Sequence, residues 1–282
     1  MTTMAPESNC APRTVSADAV LARASSNDAV VRQMYGIRFN DVTCEEFFAL
    51  IDARIREGQY GYVVTPNVDH ICLRQRHEGF RKAYDGAWLV LCDGMPLLWA
   101  ARLLGKPLRE KLSGSDLIIW LSGHAARKGY PVFLFGAKEG VGAEAAEKLR
   151  AIHPELKIAG VYSPPFDFQL DPEANAEAKR RLKESGASIV YVALGCPKQE
   201  VWLQEHGPDC GVPVMLGVGG SFEFVSGRVP RAPVWMQKSG LEWIWRLCQE
   251  PRRLWKRYLV DDMLFVKLFL KEFAATYLFR RG

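Results

Sequence analysis

Six short apolar runs recur along this chain, and each stops at a polar residue or a glycine before a stretch of helical periodicity. They occupy residues 60–64, 88–92, 131–135, 157–162, 188–194 and 212–218. Apolar runs of strand length that alternate with helices describe strands buried on both faces. A mostly parallel sheet between two helical layers provides that environment, so the expected fold class is α/β. In open sheets of this kind ligands bind outside the carboxyl ends of the strands, and the residues that end each run are the ones to inspect.

The first two runs end in Thr65-Pro66-Asn67 and in Asp93-Gly94. If those strands are neighbours, Thr65, Asn67 and Asp93 line one crevice. Asp93 then has two roles open to it: cap of the following helix, or an acid facing a ligand. Later runs end in Gly136-Ala137-Lys138-Glu139-Gly140-Val141-Gly142, in Gly195-Cys196-Pro197-Lys198-Gln199-Glu200, and in Gly219-Gly220. Glycines between strand and helix let backbone N–H groups approach a phosphate, and they equally serve tight turns. Gln199 suits a sugar or a base because an amide both donates and accepts, whereas Glu200 suits a local cap or pair. One carboxylate among amides and hydroxyls fits general-base activation of an alcohol, with a nearby pocket for a nucleotide-linked leaving group.

Other chemistries lack their motifs. The sequence has no G-K-S/T for an ordinary nucleoside triphosphatase, no G-x-S-x-G, no H-E-x-x-H, and no D-x-D beside a strand end. A dinucleotide-dependent oxidoreductase or epimerase would need G-x-G-x-x-G after an early strand, which is also missing. The seven cysteines show no paired metal spacing and fit buried, reduced thiols. His124, on a helix expected over 117–128, reads as a surface or helix-end residue.

At 282 residues and 48% apolar, the chain suits one large domain with an appendage. Residues 1–32, rich in Ala, Ser and Pro, read as a loose leader without a signal-peptide pattern. The main domain is expected over 33–227. Within it the helices are expected over Cys44–Glu57 with Thr43 as cap, from Asn67 to about Arg81, and over Leu97–Leu104. The net charge of +5 does not suggest nucleic acid, but its placement is informative. From Arg246 onward stand nine basic and four acidic residues. After the proline-punctuated segment 228–233, helices are expected over Val234–Gln249 and from Arg252 to about Phe279. This basic, aromatic appendage over 228–282 suits an anionic membrane surface or a partner; the alternative is a helix packed back on the sheet domain.

An ordered series of motifs adds a resemblance. Thr65-Pro66-Asn67, Asp93-Gly94, Leu103-Leu104-Gly105-Lys106-Pro107-Leu108 and Gly114-Ser115-Asp116-Leu117 resemble segments of the WecG/TagA/CpsF glycosyltransferase family. So do Phe135-Gly136, Gly195-Cys196-Pro197-Lys198-Gln199-Glu200, and Arg231-Ala232-Pro233 followed by Leu241-Glu242-Trp243. The resemblance spans about Tyr35 to Tyr258. It implies a Rossmann-like core and an inverting, metal-independent transfer of a sugar from a UDP-sugar donor to a polyprenyl-diphosphate-linked saccharide. That places the protein peripherally on the cytoplasmic face of the inner membrane, possible as a homo-oligomer or with a pathway partner. Asp93 is then the general base, Thr65 and Asn67 orient a sugar, and Gln199, Gly136, Gly219 and Gly220 belong to the substrate pocket. Arg246, Arg253 and Arg257 are expected at the diphosphate. Lys111 stands where the family usually has arginine, keeping the charge but losing two-pronged hydrogen bonding. A scaffold built on a degenerate transferase domain is the non-enzyme alternative.

Overall fold

Residues 31–278 are described by the structure, a computed structural model. The leader lies outside this range except for its last two residues, which already open a strand. β1 (Val31–Met34) and β2 (Ile37–Asn40) form an antiparallel hairpin. Its two turn residues, Tyr35 and Gly36, both have positive φ, as a two-residue hairpin turn requires. α1 (Cys44–Glu57) begins at Thr43 in a capping box: Thr43 accepts from the Glu46 N–H, and the Glu46 carboxylate accepts from the Thr43 N–H at 3.0 Å.

The main sheet contains β3 (Gly61–Val64), β4 (Leu89–Val90), β5 (Val132–Gly136), β6 (Ile158–Tyr162), β7 (Ile189–Ala193) and β8 (Val214–Gly217). Their order is β4-β3-β8-β7-β5-β6 and every pairing is parallel. All six expected core runs are strands of this sheet. Successive side chains go to opposite faces, so each strand feeds two cores. Val63, Leu134, Tyr191 and Leu216 join α1, α5 (Gly114–Lys128) and α6 (Val141–Ile152) on one side. Tyr62, Val64, Phe135, Val192 and Met215 face the other side, which holds α2 (Val68–Arg74), α3 (Glu78–Asp85), α4 (Met95–Leu103), α7 (Pro172–Glu184) and α8 (Lys198–His206).

Three expectations need correction. The single helix to about Arg81 is two helices, because His77 takes the N-cap position of α3 and its Nδ1 accepts from the Phe80 N–H at 3.0 Å. His124 is buried rather than superficial: it lies 2.7 Å from Asp52 and stacks on Phe48 at a centroid distance of 4.6 Å. The C-terminal helices are also more broken than periodicity suggests. After α9 (Ser221–Ser226) come α10 (Val234–Lys238), α11 (Glu242–Gln249) and α12 (Pro251–Lys256), a π-helical turn over Arg257–Asp261, and α13 (Met263–Tyr277). Gly240, with φ +67°, separates the first two.

The alternative of a helix packed back on the sheet domain holds for one face of the terminal helix. Phe265, Leu268 and Phe269 pack against the core, with Phe265 5.3 Å from the Tyr35 ring. Glu272 fixes this face by accepting from the Tyr35 N–H at 2.7 Å and pairing with Lys106 at 2.9 Å. Met263, Val266 and Leu270 on the opposite face are exposed. Among the described residues no helix is long and apolar enough to cross a membrane.

Candidate active site

β3 and β4 are neighbours, and their pairing continues past the strand ends. Leu91 N–H donates to Val64 O at 2.9 Å, and Asp93 N–H to Pro66 O at 3.0 Å. This ladder puts Thr65, Asn67 and Asp93 on one edge. The first residue of α5, Gly114, closes the back of that edge. A Cβ there would lie 3.2 Å from the Val218 Cα and 3.4 Å from the Thr65 hydroxyl, so a side chain would crowd this approach of the helix.

Asp93 does not cap the helix that follows. The N-cap position of α4 is Gly94, with φ +109°, and no side-chain hydrogen bond closes that helix end. Burial instead pushes the Asp93 carboxyl up to about 7, with Lys111 opposing, Glu242 and Asp116 reinforcing, and Arg246 opposing. Lys111 reaches the site because Leu112 N–H donates to Cys92 O at 2.8 Å, which lays its segment beside the residues that follow β4.

Lys111 is also 3.2 Å from Asp116, which Arg231 pairs from the appendage side. Burial works to raise Asp116, but Arg231, Lys111 and the Ser113 hydroxyl together hold it below the usual carboxylate range. Arg231 reaches the site by pairing with Asp116, and Glu242 comes within electrostatic reach of Asp93; the motifs that contain them did not show these partners.

Other expected residues divide into two groups. Asn67 is the N-cap of α2, accepting from the His70 N–H at 3.2 Å through Oδ1. Arg246 lies 5.5 Å from the Phe224 ring centroid and within electrostatic reach of Asp93. Arg257 pairs with Asp69 at 3.0 Å. Arg253, by contrast, is exposed and pairs with Glu250 of its own helical turn.

Gln199 is buried with both ends of its amide committed. It donates to Glu200 at 2.9 Å and accepts from the Gly219 N–H at 2.9 Å, tying the start of α8 to the loop after β8. Gly219 has φ +52°, and Gly220 precedes α9. Gly136 has φ +102°, and a Cβ there would meet the Ala193 carbonyl oxygen at 2.6 Å; close approach of β5 to β7 accounts for this glycine.

A second group of polar residues adjoins the crevice. His70 Nδ1 lies 2.7 Å from the Tyr84 hydroxyl, and one ligand atom each from Asp69, His70 and Cys196 fall within 4.8 Å of one another. Burial pushes Glu200 up to about 7, and the Tyr84 hydroxyl senses Glu200, Cys196, Asp93 and Asp69. The two halves of this group, 69–84 and 196–200, lie far apart in sequence, which is why motif spacing did not reveal it.

The family model for the glycosyl transferase WecG/TagA/CpsF family matches residues 32–278. The chain belongs to this family. Two relatives in it bear the name N-acetylglucosaminyldiphosphoundecaprenol N-acetyl-beta-D-mannosaminyltransferase. The one from Bacillus subtilis is 35% identical over 209 residues, covering 74% of this chain and 77% of the relative. The one from Bacillus spizizenii is 32% identical over 203 residues, covering 72% and 76%. The WecG/TagA/CpsF match takes in the strand-end crevice and the appendage alike, up to the end of the described residues.

Proposed function

We propose that this protein is an inverting glycosyltransferase that moves a sugar from a UDP-sugar to a hydroxyl of a polyprenyl-diphosphate-linked saccharide. The observation that carries the reading is Asp93: a half-buried carboxyl raised to about 7, at a strand end, beside Thr65 and Asn67 and within electrostatic reach of Lys111 and Arg246. The names of the relatives supply the substrate class.

In this reading the Asp93 carboxylate takes the proton of the acceptor hydroxyl as its oxygen attacks the anomeric carbon opposite the leaving UDP. A base with a pKa near the working pH combines a useful deprotonated fraction with enough proton affinity to assist the attack. Thr65 and the amide N–H groups of Asn67 orient sugar hydroxyls. Lys111, Arg246 and Arg257 offset charge on the diphosphates, a task that metal-independent catalysis leaves to side chains and backbone donors. Gln199 positions rather than binds, since its bonds shape the Gly219-Gly220 loop.

The reading also places the appendage on an anionic membrane. Trp235, Trp255, Leu259, Val260, Met263 and Leu270 are all exposed, and Trp99 and Leu103 of α4 add to the apolar surface from the main domain. The Tyr277 hydroxyl donates to the Leu103 carbonyl at 3.0 Å, which joins the two contributions. A lipid-linked acceptor would then reach Asp93 along α4, the helix that begins two residues after it.

The test is a donor panel of UDP-sugars, each incubated with a polyprenyl-diphosphate-linked N-acetylglucosamine. Glycosylated lipid product with inverted anomeric configuration is expected for one donor class. UDP-sugar turnover that ignores the lipid-linked acceptor would overturn the assignment.

A further inference from the structure

Next to the Asp93 crevice, the group around His70 has no task in the transfer reaction. Asp69 and His70 lie in the first turn of α2, and Cys196 follows β7. Their ligand atoms converge within 4.8 Å. Glu200, 1% exposed, lies against the Cys196 thiol. One Glu200 oxygen accepts from Gln199; the other, Oε2, is buried with no hydrogen-bond partner among the described residues. Asp262 Oδ1, which faces the same group from the appendage, is likewise buried without a partner. Arg257 pairs with Asp69 through one of that carboxylate's oxygens. Buried carboxylate oxygens left unpaired are costly, and a cation between them removes that cost.

We propose that Asp69, His70 and Cys196 form a binding site for a zinc-class divalent ion, with Glu200 beside the thiol. A thiolate, an imidazole and a carboxylate are a three-ligand set that zinc and cobalt accept, leaving a fourth position open, and that magnesium, which favours oxygen donors and water, does not. The Tyr84 hydroxyl, 2.7 Å from His70 Nδ1, holds the ring, an outer partner of the kind that metal-bound histidines regularly have. On binding, the Cys196 S–H bond breaks, a metal–sulfur bond forms and the proton leaves to solvent; no electrons are transferred. The ion would pin the connection after β3 to the connection after β7, directly beneath Arg257. It would act as a clamp on the crevice wall rather than as the counter-ion of the departing diphosphate.

Cobalt(II) titration of the full-length protein tests this, because thiolate-bound cobalt absorbs strongly in the near ultraviolet. One equivalent should bind with that band, and zinc should displace it. Cys196→Ser should lose the band and His70→Gln should weaken binding at least about tenfold, while Cys248→Ser, at an exposed cysteine, should leave both unchanged. Circular dichroism establishes that each variant is folded, and His70→Gln decides the matter if Cys196→Ser is not. A wild-type protein without the band, or a band that survives Cys196→Ser, would overturn the site. The readout is independent of sugar transfer, so either proposal can fail while the other stands.

Discussion

The Arg257 guanidinium lies 3.0 Å from the Asp69 carboxylate, joining the appendage to the first helical turn after β3. The pair is mostly buried, and Arg257 sits at the start of the π-helical turn that separates α12 from α13. π-helical turns inside helices are frequent at functional positions because the extra residue redirects side chains. Here it allows α13 to lie along the main domain while Arg257 points at the crevice.

Removing either partner should loosen the appendage. Asp69→Ala and Arg257→Ala, measured singly and together by urea denaturation, should show a coupling of about 1 kcal/mol or more, above the range for fully exposed pairs. In the transferase assay Arg257→Ala should raise KM for the diphosphate substrates about tenfold or more. Strictly additive stabilities would mean that the pair does not hold the appendage.

Asp93→Asn should lower turnover by about 10²-fold or more while leaving the fold intact, the scale of a lost general base. In the wild type kcat/KM should fall as the pH drops below about 7, because the base must be deprotonated to act. The stability effect has a definite sign. Burial raises this carboxyl from 3.8 to about 7, so between those values the folded state holds the proton more tightly than the unfolded state. The stability associated with Asp93 is present at low pH and is lost as the pH rises through that window. Asn has no such dependence, so the variant's melting temperature should exceed the wild type's at pH 8 and lose that advantage near pH 4. A flat pH–rate profile through 7 would remove Asp93 from proton transfer.

The exposed apolar surface predicts vesicle binding. Leu259→Glu or Trp255→Glu should weaken co-sedimentation with anionic vesicles by about tenfold or more, since burying one large apolar side chain is worth roughly 2 kcal/mol. Neither substitution touches the packed face formed by Phe265, Leu268 and Phe269. Unchanged sedimentation in both variants would argue for a different membrane contact.

Much of the fold was legible because apolar period and glycine punctuation are local signals. The α1 capping box needed only Thr43 and Glu46, three residues apart, and each of the six strands announced itself as an apolar run. The pairing of β3 with β4, on which the crevice depends, entered the sequence reading only as a condition, and the sheet order supplied it. Boundaries failed where a cap or a kink competes with periodicity. His77 restarts a helix that the apolar pattern alone would continue, and the π-helical turn at Arg257–Asp261 leaves no mark in hydropathy.

By itself the sequence determined the layered parallel sheet, the strand-end position of Asp93 and the basic, aromatic character of the appendage, because each depends on residues close together in the chain. Tertiary structure decided what surrounds them. It committed Gln199 to Gly219, gave Gly136 a packing reason, left Arg253 on the surface with Glu250 and turned Arg257 toward Asp69. It also brought Asp69, His70 and Cys196 together from separate strand ends. The physical reason is common to all of these. Hydrogen-bond partners, burial and charge neighbours are set by which strand ends the sheet order makes adjacent, and that order is a property of the whole chain.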